Sequence, residues 1–433
     1  MIGKRTGMSG NIIRGIGIGL IIICLISVYG TGMIYGNAAE NGSPYDIMLS
    51  WTDNPKTSMT VTWHSAVTGE SGIKVSRFRN MTRARSISAT KTAVKSGIPL
   101  PDYIYSGKIT GLEPNTHYYY KVFTGRSESG VKEFTTAPEK SVGIDAEPFS
   151  FLYMGDINLV SDAGQEYAEW GKLLKKAYAK EPGIKFGMLG GDLVESGISR
   201  IQFELLLKNA CDVYSKIPFM PANGNHECNF ANSGKPELYM DMFTLPENGP
   251  EGFKEEFYSF DYSTVHITVL DSWVFSGEQK VTAADIKRIA EWIRNDISGS
   301  NAKFNIVMLH HTAYSLVKDN VADKVKEKWA PLFEQCGVDL VLCGHQHVYA
   351  RSYPMKAGYI DPVNGVTYIM GFAGKKAYST ADESWQEKII YNRSNYQILR
   401  VDGNTLSVSS FDADGKALDY WSMSARKKTG LKK

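Results

Sequence analysis

The chain has 433 residues, of which 43% are hydrophobic and 22% are charged. This length and composition predict two or three domains with ample hydrophobic cores. The formal net charge is +2, and three of the basic residues lie in the first 39 positions, so the remainder carries a charge of −1. This near-neutral charge gives no electrostatic reason to expect nucleic-acid binding, and we expect no nucleic-acid partner.

Residues 1–39 have the pattern of a secretory signal peptide. Three basic residues flank or precede an almost entirely apolar stretch at 16–29, and small residues at 37–39 supply a cleavage site. An uncleaved membrane anchor is the alternative, because residues 15–35 are just long enough to span a bilayer. We therefore expect a protein that is secreted or held at the extracellular face of the cell envelope, where it could associate with the cell surface or the membrane.

Four cysteines follow this segment, and none of them forms a CxxC pair. They are Cys211, Cys228, Cys336 and Cys343. Export permits a disulfide, but a chain of this size does not need one. Cys228 and Cys343 each neighbour a candidate site residue, so ligation of a metal by a thiol is a minor alternative.

Residues 43–138 predict an all-β module. Apolar and polar residues alternate at 47–51 and 58–63, and the size of the module fits a seven-strand sandwich. The stretch 111–122 resembles the fibronectin type III signature, in which a tyrosine packs over the turn before its strand. We expect alternate tyrosines of 118–120 in the core, with a binding stripe as the alternative.

From residue 149 the pattern changes to alternating strands and helices. Apolar runs predict strands at 149–154, 184–189, 265–270, 306–309 and 338–342, and amphipathic periodicity predicts helices at 165–180, 202–214, 282–297 and 322–335. Short strands return over 367–424, and 425–433 is a basic tail. We expect a second domain over 148–424, built from two mixed sheets packed face to face with flanking helices. The predicted fold class is α+β/α/β, an N-terminal all-β sandwich followed by this two-sheet α/β sandwich.

Five apolar runs of the second domain end abruptly in polar residues. Their sequences are FLYMGDIN at 151–158, FGMLGGDLVE at 186–195, IPFMPANGNHE at 217–227, IVMLHHTAY at 306–314 and VLCGHQHVY at 341–349. Ligands of open α/β sheets bind at the carboxyl ends of strands, so these ends are expected to converge. They would gather Asp156, Asp192, Asn225, His226, His310, His345 and His347. That set is too rich in metal-binding groups for one cation and suits two.

The chemistry of the set favours a pair of cations. A carboxylate such as Asp192 can bridge two cations, the Asn225 oxygen suits a hard divalent ion, and imidazoles suit zinc, iron or manganese. Two metals roughly 3.5–4 Å apart lower the pKa of a shared water and neutralise phosphoryl oxygens. His226 is then free to act as general acid. Each motif alone also has a structural explanation, as a turn, a capped helix start or a surface histidine.

The ordered series GD–GD–GNHE–H–GHQH across 155–347 resembles the calcineurin-like metallophosphoesterase family. With HVYARS at 347–352 and the preceding β module, the chain is most similar to the purple acid phosphatases and their bacterial relatives. The resemblance implies a metallophosphoesterase sandwich. It assigns one metal to Asp156, Asp192 and His347, and the second to Asp192, Asn225, His310 and His345. It implies that His226 contacts phosphate, and it favours His310 over His311 because His310 directly follows the strand.

The chain departs from the family pattern at three places. Purple enzymes place an iron-ligating tyrosine where this chain has Glu195, and other members place a histidine where it has Asn158. Asn158 is therefore an additional candidate metal ligand. The paired histidines that some plant enzymes use against phosphate are replaced by residues 317–320. We expect no tyrosinate colour and a pair of divalent ions, Zn, Mn or Fe.

These features predict a secreted, acid phosphatase-like phosphoric ester hydrolase with a dinuclear metal centre. A metal-bound hydroxide is expected to attack the phosphorus of a small phosphate monoester while His226 protonates the leaving group. A phosphodiesterase or nucleotide hydrolase using the same site is one alternative. A non-catalytic cell-surface binding protein on a degenerate scaffold is the other, and it is motivated by Asn158 and Glu195.

Overall fold

The computed structural model describes residues 42–93, 95–96, 103–139, 147–157, 162–230, 233–376, 378 and 383–426. The predicted signal segment, Asn158 and most of the basic tail lie outside the described residues, so the predictions made for them stay predictions. Within the described part of the chain, no helix combines the length and the apolar character needed to cross a membrane.

The N-terminal domain is a sandwich of two antiparallel sheets. The first sheet has the order β1-β2-β6-β5, and the second has the order β4-β3-β7-β8 with β9 also paired to β7. Their bounds are β1 Tyr45–Ser50, β2 Met59–Ser65, β3 Ser71–Ser76, β4 Arg85–Ser88, β5 Thr90–Lys91, β6 Tyr103–Ile109, β7 His117–Thr124, β8 Ser127–Glu128 and β9 Lys132–Thr135. Seven strands were expected, and the described residues contain nine. The two additional strands are the two-residue segments β5 and β8. Tyr118 and Tyr120 are buried, as expected, and the Glu113 amide donates to the Tyr118 hydroxyl at 3.0 Å.

The second domain contains two large mixed sheets. The six-stranded sheet has the order β12-β11-β10-β22-β23-β24, and the seven-stranded sheet has the order β13-β14-β15-β16-β20-β17-β21. The bounds are β10 Phe149–Met154, β11 Ile184–Gly190, β12 Phe219–Ala222, β13 Tyr258–Tyr262, β14 Val265–Leu270, β15 Phe304–Leu309, β16 Leu340–Cys343, β17 Tyr349–Ser352, β18 Met355–Lys356, β19 Tyr359–Ile360, β20 Thr367–Met370, β21 Gln386–Ile390, β22 Asn395–Asp402, β23 Thr405–Asp412 and β24 Ala417–Ser424. The small hairpin β18-β19 stands apart. The predicted fold class is confirmed.

Both faces of the central strands β14, β15, β16 and β20 of the seven-stranded sheet are buried, which explains their continuous apolar runs. On β15, Ile306 and Met308 pack into the core shared with the six-stranded sheet. Val307 and Leu309, on the opposite face, pack into a second core that includes residues of the flanking helices. Because adjacent side chains of a strand point to opposite faces, every position of this strand is apolar except Asn305.

In the described parts of the chain six α-helices flank the sheets, and a 3-10 turn at Ser272–Phe275 follows β14. They are α1 Ala163–Lys180, α2 Arg200–Tyr214, α3 Glu237–Met242, α4 Ala283–Gly299, α5 Asn320–Lys328 and α6 Ala330–Cys336. Thr282 and Asp285 form a reciprocal capping box at the start of α4. The single helix predicted over 322–335 was wrong. The helical segment is interrupted at Trp329, between α5 and α6. Pro331 lies in the first turn of α6, where its missing amide hydrogen is tolerated.

The two domains share an aromatic interface. Trp51 at the end of β1 is 1% exposed, and its ring centroid lies 5.4 Å from Phe186, 5.5 Å from Phe260 and 5.7 Å from Tyr262. The Tyr120 hydroxyl donates to the Ser215 carbonyl at 2.8 Å across the same junction. The all-β domain is therefore packed against the α/β domain through buried side chains.

His266 on β14 makes the stability of the protein depend on pH. Its Nδ1 lies 2.8 Å from Asp261 and its Nε2 lies 3.0 Å from Asp296. Burial alone would lower the pKa of His266, but the hydrogen bonds and charges of the two aspartates outweigh it and raise the pKa to about 9. Since this folded-state pKa exceeds the ordinary value of about 6.5, the stabilisation is complete below about pH 6.5 and is lost as pH rises through 9.

We expect this pair of contacts to contribute roughly 3 kcal/mol at pH 6 and little at pH 10. Urea unfolding at both pH values, with wild type compared to His266→Asn, measures the contribution. The variant should be less stable at pH 6, and the gap should close at pH 10. A gap of constant size would contradict the charged state assigned to His266.

Candidate metal centre

The five predicted polar clusters lie at the carboxyl ends of five strands and meet between the two large sheets. Asp156 follows β10, Asp192 follows β11 and Asn225 follows β12 in the six-stranded sheet. His310 follows β15, and His345 and His347 follow β16, in the seven-stranded sheet. The side chains that the sequence predicts as one cluster are therefore brought together from both sheets.

One group of potential ligands consists of Asp156, Asp192 and His347. One ligand atom from each lies within 4.8 Å of the others. The Nε2 atom of His347 is 3.7 Å from Oδ1 of Asp156. Both carboxylates are buried, with exposed fractions of 0% for Asp156 and 1% for Asp192.

A second group surrounds His310. Its Nε2 lies 3.1 Å from Oδ2 of Asp192, 3.2 Å from Oδ1 of Asn225 and 3.3 Å from Nδ1 of His345. Asp192, a member of the first group, thus also contacts His310 at the centre of the second.

His311 lies beside this second group but faces a different partner. Its Nδ1 is 2.9 Å from the Ser272 hydroxyl, and its ring lies 4.1 Å from the ring of His345. One of its nitrogens is also within 4.8 Å of ligand atoms of His310 and His345. No hydrogen bond or ion pair joins it to Asp192 or Asn225 among the described residues, whereas His310 is close to both.

Each predicted imidazole ligand has one nitrogen occupied and the other directed into the cluster. His310 Nδ1 donates to the Gly190 carbonyl at 2.8 Å, and His347 Nδ1 donates to the Lys376 carbonyl. His345 Nε2 lies 3.1 Å from the Asp319 carboxylate. Such partners fix the tautomer and orientation of a metal-binding histidine.

Aromatic rings further restrain His347. The Phe372 ring stacks on one side at 5.0 Å and the Tyr378 ring stacks at 4.1 Å, both within 10° of parallel to the imidazole. Phe372 is itself fixed, because its amide donates to the Asn395 side chain at 3.2 Å. These partners come from the segment after β20, which the sequence patterns did not single out.

The backbone of the cluster is strained. Asp192, His345 and His347 have φ values of +50°, +69° and +50°, a left-handed conformation that is uncommon for residues with a Cβ. Any side chain at Gly224 would clash with the Asp192 carboxylate, and one at Gly344 would clash with Asp156. The motif glycines are thus required by the close approach of the loops, and the strain is concentrated at the predicted ligands.

Glu227 holds the loops together, a role that sequence reasoning missed although the residue belongs to GNHE. Its buried carboxylate accepts four backbone amides from both sides of the site. They are Asp192 at 2.8 Å, Leu193 at 2.7 Å, Val194 at 3.1 Å and Gly224 at 2.5 Å. The Asp192 loop and the Asn225 loop are therefore joined through one side chain.

His226 stands at the open side of the cluster. Its Nδ1 donates to the Glu195 carbonyl at 2.8 Å, and its Nε2 lies 3.9 Å from Asp192 with a side-chain exposure of 23%. Burial opposes protonation, but the Asp192 charge and the Glu195 carbonyl outweigh it and raise the pKa of His226. The geometry leaves Nε2 free to hold a proton near the metal-binding groups.

The residues present fit a pair of cations. Two buried carboxylates need compensating charge, and among the described residues no lysine or arginine forms an ion pair with Asp156 or Asp192. Oxygen and imidazole groups converge on these two carboxylates instead, and divalent ions would supply the compensating positive charge. Thiols are poor candidates, because burial raises the pKa of Cys343 to about 12 and that of Cys228 well above its ordinary value. All four described cysteines are free.

Comparisons with known proteins agree with this architecture. The family model described as the purple acid phosphatase N-terminal domain matches residues 44–136, and the model described as calcineurin-like phosphoesterase matches residues 149–349. An uncharacterized protein of Mycobacterium tuberculosis is 25% identical over 384 residues, which cover 81% of this chain and 70% of that protein. Purple acid phosphatase 15 of Arabidopsis thaliana is 26% identical over 65% of this chain and 56% of its own length.

Solved structures share the fold. Purple acid phosphatase PPD1 from yellow lupin seeds superimposes with a TM-score of 0.71 at 17% identity, covering 88% of this chain and 74% of that chain. The structure of PhoD superimposes with a TM-score of 0.63 at 13% identity, covering 90% and 94%. Residues 44–136 therefore match the purple acid phosphatase N-terminal domain, residues 149–349 match the calcineurin-like phosphoesterases, and the chain has the fold of a purple acid phosphatase.

Proposed function

We propose that the chain hydrolyses small phosphate monoesters with two divalent cations bound at the metal centre. The observation that carries this proposal is the pair of ligand groups that share Asp192. Asp156, Asp192 and His347 would hold one cation, and the second would be held by Asp192 with Asn225, His310 and His345. Export of the chain, supported by the pattern of residues 1–39, belongs to the same proposal.

The proposed reaction uses the bound cations and the side chain of His226 in different roles. When bound, the two cations would neutralise phosphoryl oxygens and lower the pKa of a water between them. His226 holds a proton at Nε2, where it can be given to the departing alkoxide. The Glu195 carbonyl fixes the His226 ring through Nδ1. The buried carboxylates of Asp156 and Asp192 would hold the cations, whose positive charge attracts an anionic substrate.

The direct test compares p-nitrophenyl phosphate with bis-p-nitrophenyl phosphate, with and without a chelator, on protein loaded with Zn, Mn or Fe(II). Turnover that the chelator abolishes, and that is faster with the monoester, is expected. The absence of chelator-sensitive turnover with both esters would end the proposal. Since Glu195 stands where purple enzymes carry tyrosine, the loaded protein should also lack a tyrosinate absorption band.

Replacement of His226 separates proton transfer from metal binding. In His226→Ala the predicted ligands remain, so two metals per chain should still bind, while kcat falls by about 10²–10⁴-fold, the usual range for a lost acid–base group. Elemental analysis together with steady-state kinetics measures both quantities. Loss of metal in parallel with activity would contradict the assigned role.

A metal-free binding protein on the same scaffold is the second candidate. The observation that favours it is the Glu195 side chain, which pairs with Lys376 at 3.2 Å and stands in the sequence where the purple enzymes carry their iron-ligating tyrosine. Metal analysis distinguishes the two functions. Fewer than about one tightly held ion per chain would favour the binding protein.

A further inference from the structure

An ion pair lies at the rim of the metal centre, between Glu195 and Lys376. The ammonium of Lys376 is 3.2 Å from Oε1 of Glu195, and the two side chains are 34% and 32% exposed. Glu195 belongs to the loop that follows β11, and Lys376 belongs to the segment that follows β20. Distant parts of the chain therefore place a cation and its counter-ion at the opening of the site.

The backbone of both residues is tied to the proposed machinery. The Glu195 carbonyl accepts Nδ1 of His226, and the Lys376 carbonyl accepts Nδ1 of His347. These contacts use main-chain atoms, so they position the two side chains without occupying them. The ion pair is thus formed by two residues whose main chains contact the residue proposed as general acid and a residue proposed as metal ligand.

The Lys376 ammonium also interacts with the charges of the centre. Burial would lower its pKa, but the Glu195 carboxylate outweighs this effect and raises the pKa, and Asp192 adds to the increase. A lysine has three donors and forms hydrogen bonds with anionic oxygens at low geometric cost. An anion bound at the centre would therefore lie near a cation whose ion-pair partner is the Glu195 carboxylate.

We propose that Lys376 determines the preference of this site for phosphate monoesters, with its ammonium binding a phosphoryl oxygen of the substrate. This inference rests on the proposed phosphoesterase function. In the free protein the Lys376 ammonium is paired with the Glu195 carboxylate. When substrate binds, the ammonium forms a hydrogen bond with a phosphoryl oxygen, and its contact with Glu195 is weakened or lost. A monoester carries nearly two negative charges at neutral pH and a diester carries one, so the extra cation favours the monoester.

Four proteins test the assignment: wild type, Lys376→Gln, Glu195→Gln and the control Lys375→Gln. Lys375 is the adjacent lysine, it is more exposed, and it pairs with Glu169 away from the cluster. The kcat/KM values are measured for p-nitrophenyl phosphate and for its bis ester. The affinity of the metal-loaded proteins for inorganic phosphate is measured by calorimetry, which does not depend on turnover.

Lys376→Gln should lower kcat/KM for the monoester by about 10- to 100-fold, the range of a lost hydrogen bond to a charged group, and change the diester much less. It should weaken phosphate binding by a similar factor. Glu195→Gln should act in the opposite direction, strengthening phosphate binding by roughly two- to fivefold because the ammonium is released from a partly exposed pair. Lys375→Gln should match wild type.

Equal losses for both esters in Lys376→Gln, or the same loss in Glu195→Gln, would show a merely structural ion pair and overturn the inference. So would unchanged phosphate affinity in Lys376→Gln. If wild type hydrolyses neither ester, the proposed function fails by itself. The phosphate affinities then decide the role of Lys376 alone, with weakening in Lys376→Gln but not in Lys375→Gln as the supporting result.

Discussion

Asp192→Asn should bind neither cation tightly and should lose activity by at least about 10⁴-fold. Asp192 is the one predicted ligand common to both groups, with His310 3.1 Å from its Oδ2 and the His226 amide donating to its Oδ1 at 3.0 Å. An amide keeps the shape of the side chain but removes the charge that a bridging ligand supplies. A metal centre contributes several kcal/mol to stabilising the transition state, and each 1.4 kcal/mol corresponds to a factor of ten.

Asparagine is the informative replacement because it tolerates the left-handed backbone of position 192, where alanine would add strain. Metal content, kcat/KM and the melting temperature should be measured together. The variant should melt no higher than chelator-treated wild type, since the stabilisation lost is that of bound metal. Asp212→Asn on the exposed face of α2 is the matched control. Two metals and near-normal turnover in Asp192→Asn would refute the bridging role.

Among carboxylate-to-amide substitutions near the site, Glu227→Gln should lower the free energy of unfolding most. Oε1 accepts the amides of Leu193 and Val194, and Oε2 accepts those of Asp192 and Gly224. In either orientation of the glutamine amide, two buried backbone N–H groups face its NH₂ group, which cannot accept their hydrogen bonds. Leaving two such donors unsatisfied costs roughly 2–5 kcal/mol, which corresponds to a fall of about 5–15 °C in melting temperature for a domain of this size.

The loss of Glu227 should also weaken the metal centre, because the loops carrying Asp192 and Asn225 are no longer joined. Partner residues of metal ligands typically change affinity by about 10–100-fold. Thermal unfolding with and without added metal, together with a metal titration, distinguishes the two effects. Glu247→Gln, at an exposed position paired with Lys254, is the control. Wild-type melting behaviour in Glu227→Gln would show that the four amides do not depend on this carboxylate.

The positions of the predicted ligands followed from local patterns. A short apolar run flanked by glycine and polar residues predicts a buried strand and its end, and five such ends predict one edge where ligands collect. The choice of His310 over His311 came from the resemblance to the metallophosphoesterase family, whose histidine directly follows the strand that is β15 here. The structure adds a physical distinction, because Ser272 engages Nδ1 of His311 while Gly190 engages Nδ1 of His310.

The contributions of Glu227, Asp319 and Lys376 could not be predicted in the same way. Each acts through a contact between segments far apart in the chain, and a glutamate, aspartate or lysine is ordinarily a solvated surface residue. The break between α5 and α6 was missed because the apolar periodicity continues across Trp329. Only the stereochemistry of Pro331 signalled the interruption.

The Asp156 carboxylate accepts the amide of His345, a residue 189 positions further along the chain. Synthesis must therefore pass His347 before all of these carboxylates and imidazoles can meet. If the proposed centre binds cations, both ligand groups would be complete only after this region is translated. Any ions bound would then come from the compartment in which the chain folds, so local supply as well as affinity would determine the metal.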